Sequence, residues 1–113
     1  MRDLKKTMEG DMAIVSLEGR LQIDDTDQIE TTLSELIRSP CKRIIVDLSQ
    51  ATYICSSALG VLIAAKKGMM RSEGELRLVA TDGDIKELFR MTMLDKLFRV
   101  FGTVEEARNS FHG

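Results

Sequence analysis

The chain has no tryptophan, one tyrosine, one proline and one histidine among its 113 residues. The scarcity of histidine removes the usual base for a serine nucleophile and the commonest metal ligand. His112, the single copy, is next to last and far along the chain from any candidate serine. Cys41 and Cys55 lie too far apart for a C-x-x-C redox or zinc pair and read as free thiols. No window approaches the roughly 20 apolar residues of a membrane span. The charged start Met1–Lys6 has no apolar stretch behind it, so a soluble cytoplasmic protein without membrane insertion is expected. With 18 acidic and 16 basic residues the net charge is −2, which argues against nucleic acid as a partner. No glycine-rich phosphate loop follows a strand and no Gly-x-Ser-x-Gly elbow is present. No catalytic residue, metal or cofactor is expected, and the chain is not read as an enzyme.

A chain of 113 residues, 43% hydrophobic and 30% charged, suits one domain spanning 1–113 with a single core. Leu4–Met8 and Met12–Leu17 flank Glu9-Gly10-Asp11, the pattern of a β-hairpin. Ile29, Leu33, Leu36 and Ile37 recur at helical spacing, with Asp25 and Gln28 as a capping box and Pro40 as the stop. Arg43–Leu48 runs apolar without alternation, as a strand covered on both faces does. A helix follows from Ser56 until Ser72-Glu73-Gly74, Glu75–Ala80 makes another strand, and Asp82-Gly83-Asp84 opens a short helix. Leu94, Leu97, Phe98, Val100 and Phe101 form an apolar cluster. Thr103 and Glu106 cap a last helix through Val104, Ala107 and Phe111. Strands alternating with helices after a hairpin predict an α/β fold with a mixed sheet.

The junction Ile54-Cys55-Ser56-Ser57 sets two hydroxyls where a strand becomes a helix. Free N–H groups and the positive dipole end suit either a cap or a phosphate there. Asp24, Asp25 and Asp27 read as acids favoured at a helix start. Leu59, Ile63 and Met70 form a second apolar face on the helix after Ser56, of the kind a docking surface presents.

Gly19-Arg20-Leu21, Ile44–Leu48, Tyr53–Leu62 and Leu88–Leu94, extended by Gly74–Val79, together resemble a STAS domain, in particular a stand-alone anti-sigma factor antagonist. The resemblance covers nearly the whole chain. It implies a four- or five-stranded mixed sheet with about four helices mainly on one side. It also implies an unphosphorylated form that binds an anti-sigma factor, usually a serine kinase, and so releases a sigma factor for transcription. Phosphorylation would break the complex and a phosphatase would restore it. The acceptor falls on Ser56, with Ser57 as second choice. The partner surface falls on Gln22, Asp24, Ile54, Cys55, Ser56, Ser57, Leu59, Ile63, Lys66 and Met70. The alternative is a non-phosphorylated STAS subunit of a lipid-transport or signalling assembly.

The chain departs from the family pattern where Cys55 replaces an aspartate before the acceptor and Gln22 replaces an acid after Leu21. Ala58 replaces a common glycine. Met93 stands where a glycine often ends the third helix, so that turn either avoids positive φ or carries strain. Cys55 reads as an apolar thiol filling space, with a redox-sensitive thiol as the other reading.

Overall fold

A computed structural model describes residues 1–111; His112 lies outside the described residues. The hairpin forms as β1 (Asp3–Glu9) and β2 (Met12–Leu21), paired antiparallel from Glu9↔Met12 outward to Asp3↔Glu18. The remaining strands are β3 (Arg43–Asp47), β4 (Ala51–Ile54), β5 (Glu75–Val79) and β6 (Val100–Phe101). The helices are α1 (Thr26–Arg38), α2 (Ser56–Arg71), α3 (Asp84–Met91) and α4 (Val104–Ser110). The main sheet runs β1-β2-β3-β5-β6, parallel from β2 onward. β4 stands off this path and pairs only with the far end of β2. The sheet is thus mixed, as expected, with five strands in line and a sixth as a branch.

β3 lies at the centre, and its run of apolar residues divides between two cores. Ile44 and Val46 join Val15, Leu17, Leu76 and Leu78 beneath α1, α2 and α3. Ile45 points the other way, to Met12, Val79 and Ala107 of α4. Three helices therefore cover one face, while α4 closes part of the opposite one. It is held there by the Arg108–Glu9 pair, whose two bonds are 3.0 and 2.9 Å. Thr103 caps α4 by accepting the Glu106 N–H at 3.1 Å, as the sequence predicts.

Gly68, which in an isolated helix costs about 1 kcal/mol against alanine, has a packing reason. A Cβ there would come within 3.2 Å of Ile37 Cδ1, so its absence lets α2 lie close against α1.

One local expectation needs correction, and the backbone defines two turns that the sequence left open. Asp25 does not cap α1 through its side chain. Its carboxylate reaches back to the Gln22 N–H at 2.8 Å and to the Met1 ammonium at 2.8 Å, so the capping box is formed by Gln22 and Asp25 around a 3-10 turn. At the end of α2 the left-handed residue is Glu73 (φ 61°), not the glycine beside it. The Met93 turn does adopt positive φ, also 61°, and therefore carries strain.

Candidate functional site

Gly19 is where β2 changes partners, and this exchange builds the site. The register shifts between Gly19 and Arg20 as β2 turns to pair with β4. Gly19 has φ 89°, and a Cβ on it would lie 2.8 Å from the Arg2 nitrogen. Only glycine meets both demands. The pairing continues through Leu21↔Ile54 and closes with the Cys55 N–H donating to the Leu21 carbonyl at 2.9 Å. This bond carries the chain from β4 into α2 and puts Gln22 across from Cys55.

Neither serine caps α2. Cys55 occupies the N-cap with extended backbone (φ −76°, ψ 164°), and its sulfur accepts the Ala58 N–H at 3.5 Å. Cys55 is half-buried and has this structural task, rather than only filling space. Ser56 takes the first helical position and is exposed, Ser57 the second and is half-buried. Among the described residues neither hydroxyl makes a hydrogen bond. The helix has no acidic residue in its first turn. A hydroxyl at Ser56 thus stands in solvent, beside the positive end of a 16-residue helix, with its chemistry uncommitted.

The remaining sequence candidates are distributed unevenly. Gln22 and Asp24 are exposed beside the start of α2, and Ile54 is buried beneath it. Leu59 and Ile63 are half-buried and pack against the main core, and Met70 is 56% exposed near the far end. Lys66 is a correction: it is only 5% exposed and turned inward. Its ammonium pairs with Glu75 on β5 and reaches the Leu76 carbonyl at 3.5 Å, so it offers no charge to a partner. A lysine stem can lie along the apolar α2–β5 seam once its head has a carboxylate.

The exposed stripe that continues from Ser56 is instead Gly60, Ala64 and Lys67, one helical face with two small residues followed by a lysine. Sequence reasoning missed it because it looked for apolar residues. It also missed Ile23 and Tyr53, which are 71% and 43% exposed on the turn and strand flanking α2. Arg20 lies over the Tyr53 ring at 4.6 Å, a cation–π contact made possible by the β2–β4 pairing. Alternation along β4 could have pointed outward at Tyr53, but four residues give a weak signal.

Asp25 is the carboxylate here with a shifted pKa. Hydrogen bonds from the Met1 ammonium and the Gln22 N–H hold it below the usual aspartate range, against a smaller effect of burial. No cluster of three or more metal-ligating side chains occurs among the described residues. No described helix is long and apolar enough to cross a membrane.

Comparison with known proteins bears on this geometry. The STAS domain family model matches residues 4–107. The Bordetella bronchiseptica protein BtrV is 27% identical over 110 residues, covering 96% of this chain and 95% of its own length. The anti-sigma-B factor antagonist of Staphylococcus aureus is 24% identical over 98 residues, covering 87% and 91%. Among solved structures, the unphosphorylated form of SpoIIAA superposes with a TM-score of 0.85 at 19% identity, over 98% of this chain and 97% of that one. The phosphorylated form of this Bacillus cell fate determinant gives 0.77 at 19% identity, over 96% and 99%. At that identity the likeness extends to the fold alone.

Proposed function

The chain belongs to the STAS domain family, and from that membership we propose that it is an anti-sigma factor antagonist switched by phosphorylation of Ser56. The observation that carries this reading is the exposed, unbonded Ser56 hydroxyl at the start of α2. In this reading the unmodified protein works in the cytoplasm and binds an anti-sigma factor through the α2 entrance. Gln22, Asp24, Ile23 and Tyr53 flank the contact, with the Gly60–Ala64–Lys67 stripe beyond Ser56. Binding the anti-sigma factor frees a sigma factor. The relatives named as anti-sigma factor antagonists, and the SpoIIAA fold known in both phosphorylated and unphosphorylated forms, support this choice of partner and chemistry.

Phosphate on Ser56 adds about −1.5 to −2 charge. The N–H groups and dipole of the first turn stabilise it within the domain, so the fold persists. A partner that must exclude water from the α2 entrance meets the desolvation cost of that charge, and the complex opens. The kinase activity belongs to the partner, and a phosphatase resets the switch. This chain is ligand and substrate, not catalyst.

The test uses purified kinase partner, ATP and mass spectrometry to locate phosphate, with calorimetry on two variants. Phosphate on Ser56 is expected. Ser56→Asp should weaken the complex about tenfold or more, while Ser56→Ala should bind as the wild type does. An active kinase that leaves Ser56 unmodified, or equal affinities for the two variants, refutes the switch.

A second reading is a non-phosphorylated STAS subunit of a lipid-transport or signalling assembly. It is favoured by one feature, the absence of acid at Cys55, Gln22 and throughout the first turn of α2. Co-purification from native cells with membrane transport subunits, and with no kinase, would establish it instead.

A further inference from the structure

α1 and α2 lie side by side, and each leads from the end of one parallel strand to the start of another, so they run in the same direction. Ile37 packs on Gly68, which sets Ser34 of α1 level with Ala64 of α2. Between the helices is an open cleft of about 260 Å³, floored by Leu33, Ile37, Val61, Ala65 and Gly68. It is smaller than the roughly 300–1,000 Å³ of small-molecule sites. A shallow apolar furrow of this size suits the side chains of another helix.

The face around this cleft has a centre. On α1, Glu30 and Arg38 stand four residues before and four residues after Ser34. On α2, Gly60 and Gly68 stand four residues before and four residues after Ala64. Four residues are little more than one turn, so each set shares one side of its helix. Glu30 and Arg38 are both exposed, and neither is ion-paired among the described residues. The face is therefore symmetric in side-chain size along α2 and opposite in charge at the two ends of α1.

Such a pattern is complementary to itself. A two-fold axis in the plane of the face, crossing the helices at Ser34 and Ala64, lays an identical face on this one with its helices reversed. Glu30 then falls opposite Arg38 of the second copy, and Arg38 opposite its Glu30. Gly60 and Ala64 present no large side chain, so the two α2 helices can approach closely. Lys67 and Arg71 fall opposite Val61 and Ser57, where they meet no like charge. An axis running along the helices would gather both acids at one end and all the cations at the other, and repulsion opposes it.

We propose that the α1–α2 face is the contact of a homodimer with this antiparallel arrangement. The 13 residues of α1 extend about 20 Å. Two helices of that length offer on the order of 500 Å² from each copy, the low end of specific interfaces, so the dimer is weak and reversible. Gly60, Ala64 and Lys67 also belong to the surface assigned above to the anti-sigma factor. On that reading, dimer and complex exclude one another.

The test is sedimentation equilibrium of the full chain from about 10 μM to about 1 mM. The mean mass should climb from one copy toward two, with a Kd of about 0.1–1 mM. Glu30→Lys and Arg38→Glu should each stay monomeric over this range, because either change sets like charges opposite one another twice. An equimolar mixture of these two variants should associate again at about wild-type strength, since each chain restores the pairs that the other lost. Ala64→Arg puts bulk and charge at the axis and should also stay monomeric. All three substitutions are at exposed positions, and circular dichroism checks that the fold is kept. The proposal is overturned by a wild-type chain that stays monomeric at about 1 mM, by a folded charge variant or Ala64→Arg that associates as the wild type does, or by a mixture no more associated than its parts.

Discussion

The Cys55 sulfur accepts the Ala58 N–H at 3.5 Å, so α2 is capped one residue before Ser56 and needs neither serine hydroxyl. A residue with a structural task constrains what can be attached to it, and Ser56 has none. The cap and the modifiable hydroxyl are separate side chains.

This separation can be measured through stability. Ser56→Ala should shift the urea midpoint by an amount equivalent to less than about 0.5 kcal/mol, because no bond is lost. Cys55→Ser should stabilise by about 0.5–1 kcal/mol, since a hydroxyl is a better cap acceptor than a thiol. A loss near 1 kcal/mol at Ser56 would mean that the serine caps the helix after all.

Gly19→Ala should be the more damaging change. The new Cβ would meet the Arg2 nitrogen at 2.8 Å on a backbone of φ 89°. Relieving the contact requires β1 to move where β2 turns to β4, so a loss of about 2 kcal/mol or more is expected in chemical denaturation. Weakened pairing at the β2–β4 end should also speed amide hydrogen exchange at Cys55, whose N–H bonds to Leu21.

Met93→Gly should stabilise the protein. Met93 holds φ 61° while its side chain is 59% exposed, so strain is relieved with little packing lost. The gain should be about 0.5–1 kcal/mol, read as a higher thermal midpoint. An unchanged or lowered midpoint would mean that the Met93 side chain contributes more than its exposure indicates.

Stability should fall on the acid side. Asp25 is held below the usual carboxylate range by hydrogen bonds from the Met1 ammonium and the Gln22 N–H, and Glu9 by its bond from Arg108. Each folded-state pKa lies below its unfolded value, so between the two the unfolded chain binds more protons and stability rises with pH. The contribution is fully present above the ordinary carboxylate range, about pH 4 to 5, and is lost as pH falls through the lowered folded values. Urea midpoints measured from neutral pH downward should show the decline, and Asp25→Asn should make it shallower. An identical slope in that variant would remove Asp25 from the account.

Much of the fold was legible because its signals are local. The Glu9-Gly10-Asp11 turn, the helical spacing of Ile29, Leu33 and Leu36, and the unbroken apolar run of β3 each report on residues within a few positions. Neither the extent nor the pairing of β4 was legible, and β6 was not legible at all. They have four and two residues, and they are strands only because β2 and β5 present edges to them. The candidate site divides the same way. Ser56 is at the helix start as expected, whereas Lys66 was misplaced because its carboxylate partner stands on another element nine residues away.

The sequence by itself determined the order of the main elements, the apolar faces of α1 and β3, and a pair of hydroxyls at the start of α2, since periodicity and turn chemistry act over one or two turns. Tertiary structure decided the rest. It drew Lys66 inward to Glu75, set α4 on the face opposite the other helices, and brought Arg20 over Tyr53. Those outcomes depend on which strands share an edge and which charges lose their water together, and no window of neighbouring residues contains both partners.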